Sequence, residues 1–165
     1  MFSVFDFDET MKAIVHEFKY GGLKKLAFDL ARTYARCVPF PFFEGIDIVV
    51  PVPLHFFRSI QRGYNQADCI ARGFISGSGC GATLAAGAVR RSKMTRTQTA
   101  LSRDQRVKNV HGAFAVPAGK ISLVKYKGVI LVDDIVTTGA TTGQCAAALL
   151  DAGAKRVRVL SLARD

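Results

Sequence analysis

The chain has 165 residues, 49% of them hydrophobic, with a formal net charge of +10. That length supports one sizeable core and is too short for two typical domains, so a single domain over 1–165 is expected. No apolar run approaches the roughly 20 residues of a membrane span, no basic stretch leads into a long apolar one at the N-terminus, and Cys37, Cys69, Cys80 and Cys145 contain no C-x-x-C pair, which argues for a cytoplasmic protein with buried thiols and against a structural zinc site or disulfide framework.

Asp8 or Thr10 can cap a first helix whose apolar side is Met11, Ile14, Val15 and Phe18, ended by Gly21-Gly22. A second helix, with Leu23, Leu26, Ala27, Leu30 and Tyr34 on one face, runs to the breaker at Pro39 to Pro41, so 1–40 reads as a helical segment and 41–165 as the core. Ile46 to Val50 reads as a buried strand, and Pro51 and Pro53 are not expected to continue it in a central position. Tyr64 to Ile75 is expected to be a helix, Ser76 to Gly81 a turn, Leu84 to Arg90 a strand, Phe114 to Val116 a short strand and Val157 to Leu162 the last strand. Alternating strands and helices predict a doubly wound α/β sheet.

Much of the charge lies between Arg90 and Lys108, where seven basic residues face one acid. Arg90, Arg91, Lys93, Arg96, Arg103, Arg106 and Lys108 alternate with Thr95, Thr97, Gln98, Thr99 and Ser102 without apolar periodicity, so a mobile loop is expected. Such a loop can close over a phosphate-bearing ligand, or serve as a solvated arm that holds nucleic acid backbone. It contains no aromatic residue for base stacking.

Val129 to Thr142 reads V-I-L-V-D-D-I-V-T-T-G-A-T-T. The apolar run Val129 to Val132 predicts a strand covered on both faces, with Asp133 and Asp134 at its carboxyl end, where open α/β sheets bind ligands. Thr137, Thr138, Gly139, Ala140 and Thr141 then lead into a helix expected from about Thr142 to Asp151, and such an N-terminus suits a phosphate. No lysine occurs between Lys127 and Lys155, which excludes a P-loop here, and only Gly139 and Gly143 are present where a dinucleotide fingerprint needs three glycines. Adjacent carboxylates repel, which implies a ribose diol, a hydrated metal or nearby cations. Taken alone, they can also simply end a strand and cap a helix.

The string V-D-D-I-V-T-T-G-A-T-T resembles the phosphoribosyl pyrophosphate (PRPP) signature of type I phosphoribosyltransferases. His16, Lys19-Tyr20-Gly21-Gly22, V-P-V-P-L at Val50 to Leu54, Arg58 and R-G-Y-N-Q-A at Arg62 to Ala67 resemble the ComF (competence protein F) subgroup. Gln98, Leu101-Ser102, Arg106, Asn109-Val110 and Gly112-Ala113-Phe114 extend the likeness over nearly the whole chain. Members of that subgroup often begin with a cysteine-rich zinc-binding segment, and this chain starts after the place where it would be.

The resemblance implies the type I phosphoribosyltransferase fold, a mostly parallel sheet flanked by helices, with two N-terminal helices ahead of a PRPP-binding core. It implies transfer of a phosphoribosyl group from PRPP, with Mg2+ entering alongside PRPP and held through water near Asp133 and Asp134. Those two carboxylates would hold the ribose hydroxyls and, with Arg106, form the catalytic set. Thr137, Thr138, Gly139, Ala140 and Thr141 would wrap the 5'-phosphate, and Pro53, Leu54, Arg58 and Arg62 the pyrophosphate. Arg58 and Arg62 offer planar donor forks suited to phosphate oxygens, whereas His55 reads as a polar loop residue. Arg96, Gln98 and Arg103 belong to the flexible loop. In such transferases a variable hood selects the nucleobase or amine acceptor, and here only the N-terminal helices remain to supply it. Two other readings stay open: a PRPP-binding regulator without turnover, and a DNA-uptake factor whose basic loop holds single-stranded DNA. A homodimer is the default oligomer.

Overall fold

The structure, a computed structural model, describes residues 1–20, 23–54, 63–91 and 112–165, with the side chains of residues 19 and 20 excepted. β1 (Phe2–Asp6), α1 (Glu9–Tyr20) and α2 (Lys24–Tyr34) precede β2 (Ile48–Pro51). Then come α3 (Gln66–Ser78), β3 (Thr83–Leu84), β4 (Arg90–Arg91), β5 (Phe114–Ala115), α4 (Ile121–Val124), β6 (Gly128–Val136), α5 (Ala140–Asp151) and β7 (Arg156–Arg164). Five strands form one sheet in the order β1-β7-β6-β2-β3, and every pairing in it is parallel. β4 and β5 make a separate antiparallel ribbon.

An all-parallel sheet needs cover on both faces, and β6 shows why it lies inside. Val129 and Leu131 pack with Ile48, Val50, Cys145 and Leu149 on the α5 side, while Ile130 and Val132 pack with Val49, Ile70, Phe74 and Leu160 on the α3 side. All four β6 side chains are fully buried, each contributing on the order of 2 kcal/mol. On the α3 side two helices meet backbone to backbone. A Cβ added at Gly73 would lie 2.4 Å from the Phe28 carbonyl oxygen, and one at Gly77 would lie 2.2 Å from that of Arg32. The buried face of α2 therefore centres on Ala27 and Ala31, leaving Leu23 48% exposed.

Several elements differ from expectation. Residues 2–6, expected within a helical segment, form edge strand β1, because Phe2, Val4 and Phe5 find cover on the core once β7 is beside them. Pro51 is the last residue of β2, in register with Val132 inside the sheet. It is tolerated because the Val52 N–H donates to Val132 O at 2.8 Å, so the Pro51 nitrogen faces β3, which has already ended at Leu84. Leu84 to Arg90 is not one strand: Gly87 turns the chain at φ 73°, and Arg90 and Arg91 pair with Ala115 and Phe114 in the ribbon. Likewise α3 starts at Gln66 and continues through the expected turn to Ser78, where Gly79 ends it at φ 64°.

Candidate functional site

Parallel strands bring all their carboxyl ends to one edge, and Asp133, Asp134, Thr137 to Thr141, Pro53 and Leu54 gather there. β6 runs on to Val136, so the two carboxylates lie within the strand rather than after it. Successive strand residues face opposite sides, which sends Asp133 to the α5 face and Asp134 to the α3 face and reduces the repulsion expected of neighbours. Asp133 Oδ1 accepts the Asp134 N–H at 2.9 Å, and Asp134 Oδ1 accepts the Ile135 N–H at 2.8 Å. In register with Asp133 are Ser161 and then Ser3, whose hydroxyls lie 2.7 Å apart.

Cys145 of α5 is buried in the core on the Asp133 side of the sheet. Burial pushes its thiol well above the ordinary 9.0, the Asp133 carboxylate pushes the same way and Arg91 opposes both. The thiol is thus held protonated. Arg91 itself sits with its guanidinium 5.4 Å from the centroid of the Phe114 ring. In the sequence Arg91 is one of a basic run, whereas the ribbon sets it where its charge and that of Asp133 act on one thiol.

α5 begins at Ala140, earlier than expected, so Ala140 and Thr141 belong to its first turn. Gly139 caps the helix at φ 72°, a left-handed conformation that suits glycine, and no side chain caps the helix from that position. Thr138 Oγ1 accepts the Ala140 N–H at 3.3 Å, and Thr142 Oγ1 donates back to Gly139 O at 3.1 Å. Thr137 and Thr138 are exposed, and Gly139, Ala140 and Thr141 half-buried. First-turn N–H groups lack intrahelical acceptors, which makes this turn a suitable anion seat.

Val52 is buried and Pro53 and Leu54 are half-buried just past β2. His55, Arg58, Arg62, Arg96, Gln98, Arg103 and Arg106 lie outside the described residues, as do Gly21 and Gly22. The Gly112 N–H donates to Gln144 Oε1 of α5 at 3.2 Å, so the chain re-enters the described structure beside the first turns of that helix.

α1 supplies a further part of the edge. It starts beside β1, where the Phe7 N–H reaches Arg164 O at 2.9 Å and Asp8 Oδ1 caps the helix through the Met11 N–H at 2.7 Å. Near its end, Phe18 O accepts from the Tyr64 hydroxyl and, at 3.5 Å, from Gln66 Nε2. Between them Asn65 Nδ2 donates to Val52 O at 3.0 Å, just past β2. β1 and β2 are separated by β7 and β6, three strand spacings or about 14 Å. The 12 residues of α1 reach about 18 Å. α1 therefore spans the carboxyl ends of β7 and β6, with Met11, Val15 and Phe18 buried in the core cluster that also holds Val132 and Leu162. The string R-G-Y-N-Q-A marked a family likeness in the sequence but not this arrangement, since side-chain bonds to a distant carbonyl leave no periodic trace.

Among the described residues no three His, Cys, Asp or Glu side chains gather as a metal cluster. Asp133 and Asp134 provide hard oxygen donors, which fit a hydrated cation that arrives bound to a phosphate ligand. No helix among the described residues is long and apolar enough to cross a membrane.

The family model for the phosphoribosyl transferase domain matches residues 40–165. Competence protein F of Haemophilus influenzae is 36% identical over 118 residues, which is 72% of this chain and 50% of that protein. DNA utilization protein YhgH of Salmonella typhi is 32% identical over 171 residues, covering 98% of this chain and 70% of its own length. Competence protein ComFC of Bacillus subtilis is 27% identical over 155 residues, 92% and 58% of the two lengths. The chain thus spans about half the length of the Haemophilus protein. The solved structure of the allosteric regulatory enzyme of purine biosynthesis superposes with a TM-score of 0.58 at 19% identity, over 88% of this chain and 29% of that one. Glutamine PRPP amidotransferase from B. subtilis gives 0.55 at 20%, over 88% and 30%. At these identities the structural likeness is one of fold, that of the type I phosphoribosyltransferases. With the family model covering most of the sequence and these relatives sharing it, the chain belongs to the phosphoribosyl transferase domain family, in the ComF group of competence protein F and its relatives.

Proposed function

We propose that the chain binds PRPP at the carboxyl edge and transfers its phosphoribosyl group to a nucleobase or amine nitrogen. The observation that supports this most directly is the succession of Asp133 and Asp134 on β6 and a glycine-capped helix start at Gly139 on the same edge. Asp133 and Asp134 orient the ribose diol, and Thr137 to Thr141 hold the 5'-phosphate through hydroxyls and N–H groups. In this reading Pro53 and Leu54, with Arg58 and Arg62, bind the pyrophosphate, and Arg106, with Arg96, Gln98 and Arg103, balances the charge that develops on it. Mg2+, bound with PRPP, would neutralise pyrophosphate charge. The bond from ribose C1 to the pyrophosphate oxygen breaks with its electron pair leaving on pyrophosphate, the acceptor nitrogen bonds to C1, and that nitrogen gives up its proton. Positioning and charge stabilisation are sufficient, and no protein nucleophile is required. α1 serves as the hood above the reacting centre, excluding water and bounding the acceptor.

Calorimetric titration with Mg2+ and PRPP tests this reading. The Asp133→Asn, Asp134→Asn double variant is expected to bind at least about 100-fold more weakly, or roughly 2.7 kcal/mol, with little change in melting temperature. Equal heats in the two proteins, or none in the wild type, would reject the assignment. A pyrophosphate-release screen over bases and amines then identifies the acceptor, and binding without release with any acceptor would mark a PRPP-sensing regulator. The net charge of +10 and the names of the Haemophilus and Salmonella relatives favour a second reading, single-stranded DNA binding. It requires an affinity that falls with salt by a logarithmic slope of about 0.7 per phosphate contact.

A further inference from the structure

We infer that Tyr64 and Gln66 are positioning residues that pin the end of α1 as a roof over the site, and that Asn65 ties this roof to the chain leaving β2. The geometry is independent of the transferase reading; its catalytic consequence rests on that reading. Three consecutive side chains grip three elements. Tyr64 and Gln66 both donate to Phe18 O, a carbonyl in the last turn of α1, where helices run out of intrahelical donors. Gln66 is 1% exposed, so its amide depends on buried partners. The Tyr64 ring also lies under the Lys24 ammonium, 5.0 Å from Nζ to the ring centroid. One side chain thus contacts the chain on both sides of the α1 to α2 connection.

Asn65 completes the clip. Its Nδ2 donates to Val52 O at 3.0 Å and its Oδ1 accepts the Ala67 N–H at 3.1 Å, so one amide holds the exit of β2 and caps α3. The other end of α1 is fixed separately, by Asp8 and by the Phe7 to Arg164 bond. A helix anchored at both ends of a sheet edge, with its apolar face in the core, is held as a beam. Releasing only the Phe18 end should loosen the roof while leaving the ribose and 5'-phosphate holders on β6 and α5 untouched.

The test compares the full chain with Tyr64→Phe, Gln66→Leu and the double variant. Without ligand, hydrogen exchange of the α1 amides near Val15 to Phe18 is expected to rise at least about tenfold in the double variant, against little change in β6. With Mg2+ and PRPP, the dissociation constant should stay within about threefold of wild type. Pyrophosphate release with water as the only acceptor should rise at least about fivefold, as a roof that excludes water predicts. In that reaction the water oxygen bonds to C1, the C1 to pyrophosphate bond breaks with its electrons on pyrophosphate, and a water proton passes to solvent, leaving ribose 5-phosphate. Unchanged α1 exchange would remove the clip. Faster exchange with unchanged water release, or weaker PRPP binding in step with lost protection across α3 and β6, would reduce these residues to fold stabilisers. If the double variant does not fold, Tyr64→Phe, which keeps the ring over which Lys24 sits, carries the same comparison. A wild type that binds no PRPP would sink the transferase reading, and the ligand-free exchange would still decide the clip.

Discussion

The two edges of the sheet use glycine for opposite reasons. At the amino edge, Gly128 exchanges bonds with Asp47, donating to Oδ2 at 2.7 Å and accepting from the Asp47 N–H at 2.8 Å, and a Cβ there would sit 1.8 Å from Gly45 O. At the carboxyl edge, a Cβ on Gly139 would meet, among the described residues, only Thr142 Oγ1, at 3.9 Å, and it is the φ of 72° that asks for glycine. One edge is closed by main-chain packing and the other left roomy around a special torsion. Damage to the first should therefore appear as lost stability, and damage to the second as lost binding.

Gly128→Ala gives the sharpest form of that contrast. Overpacking against main chain should cost about 3 kcal/mol, lowering the melting temperature by roughly 10 °C, with PRPP affinity of the folded protein unchanged in calorimetry. The Asp133→Asn, Asp134→Asn double variant should show the reverse pattern. Gly139→Ala falls between: the left-handed torsion costs roughly 1–2 kcal/mol, and a displaced first turn of α5 should weaken PRPP binding by about tenfold, or roughly 1.4 kcal/mol. Should Gly128→Ala weaken binding as much as stability, the two edges are not separable. The smallest effect belongs to Cys145. Its folded-state thiol titrates above the unfolded value, so its contribution to stability is complete below about pH 9 and is lost as pH rises further. Melting temperatures measured from neutral to alkaline pH should fall more steeply for wild type than for Cys145→Ala.

The carboxyl edge was more legible in sequence than the structure around it. An unbroken apolar run, two acids and a threonine-glycine turn report β6 and α5 because the contributing residues are adjacent in the chain. β1 is different: F-S-V-F-D is too short for its alternation to count, and its partner serine, Ser161, is 158 positions away. The apolar residues from Ala85 to Val89 suggest a strand, yet only Ala88 and Val89 are buried and Gly87 turns the chain between the sheet and the ribbon. Gly73 and Gly77 are silent in the sequence because a small-residue stripe has no hydrophobic signal, although it sets how closely α2 and α3 approach. Tyr64, Asn65 and Gln66 were visible as a motif, but their hydrogen bonds to Phe18 and Val52 exist only once the sheet has ordered its strands.

The pairing of Phe2 with Leu160 also makes the order of synthesis matter. Of the five strands in its sheet, β1 is synthesised before the other four and its partner after them. At roughly 5–20 residues per second, that interval lasts on the order of 10–30 s. Until β7 arrives, Phe2, Phe5 and Phe7 have no strand beside them. Nascent chains stalled before residue 156 are expected to carry this segment unpaired, as bait for a holding chaperone or a seed for aggregation.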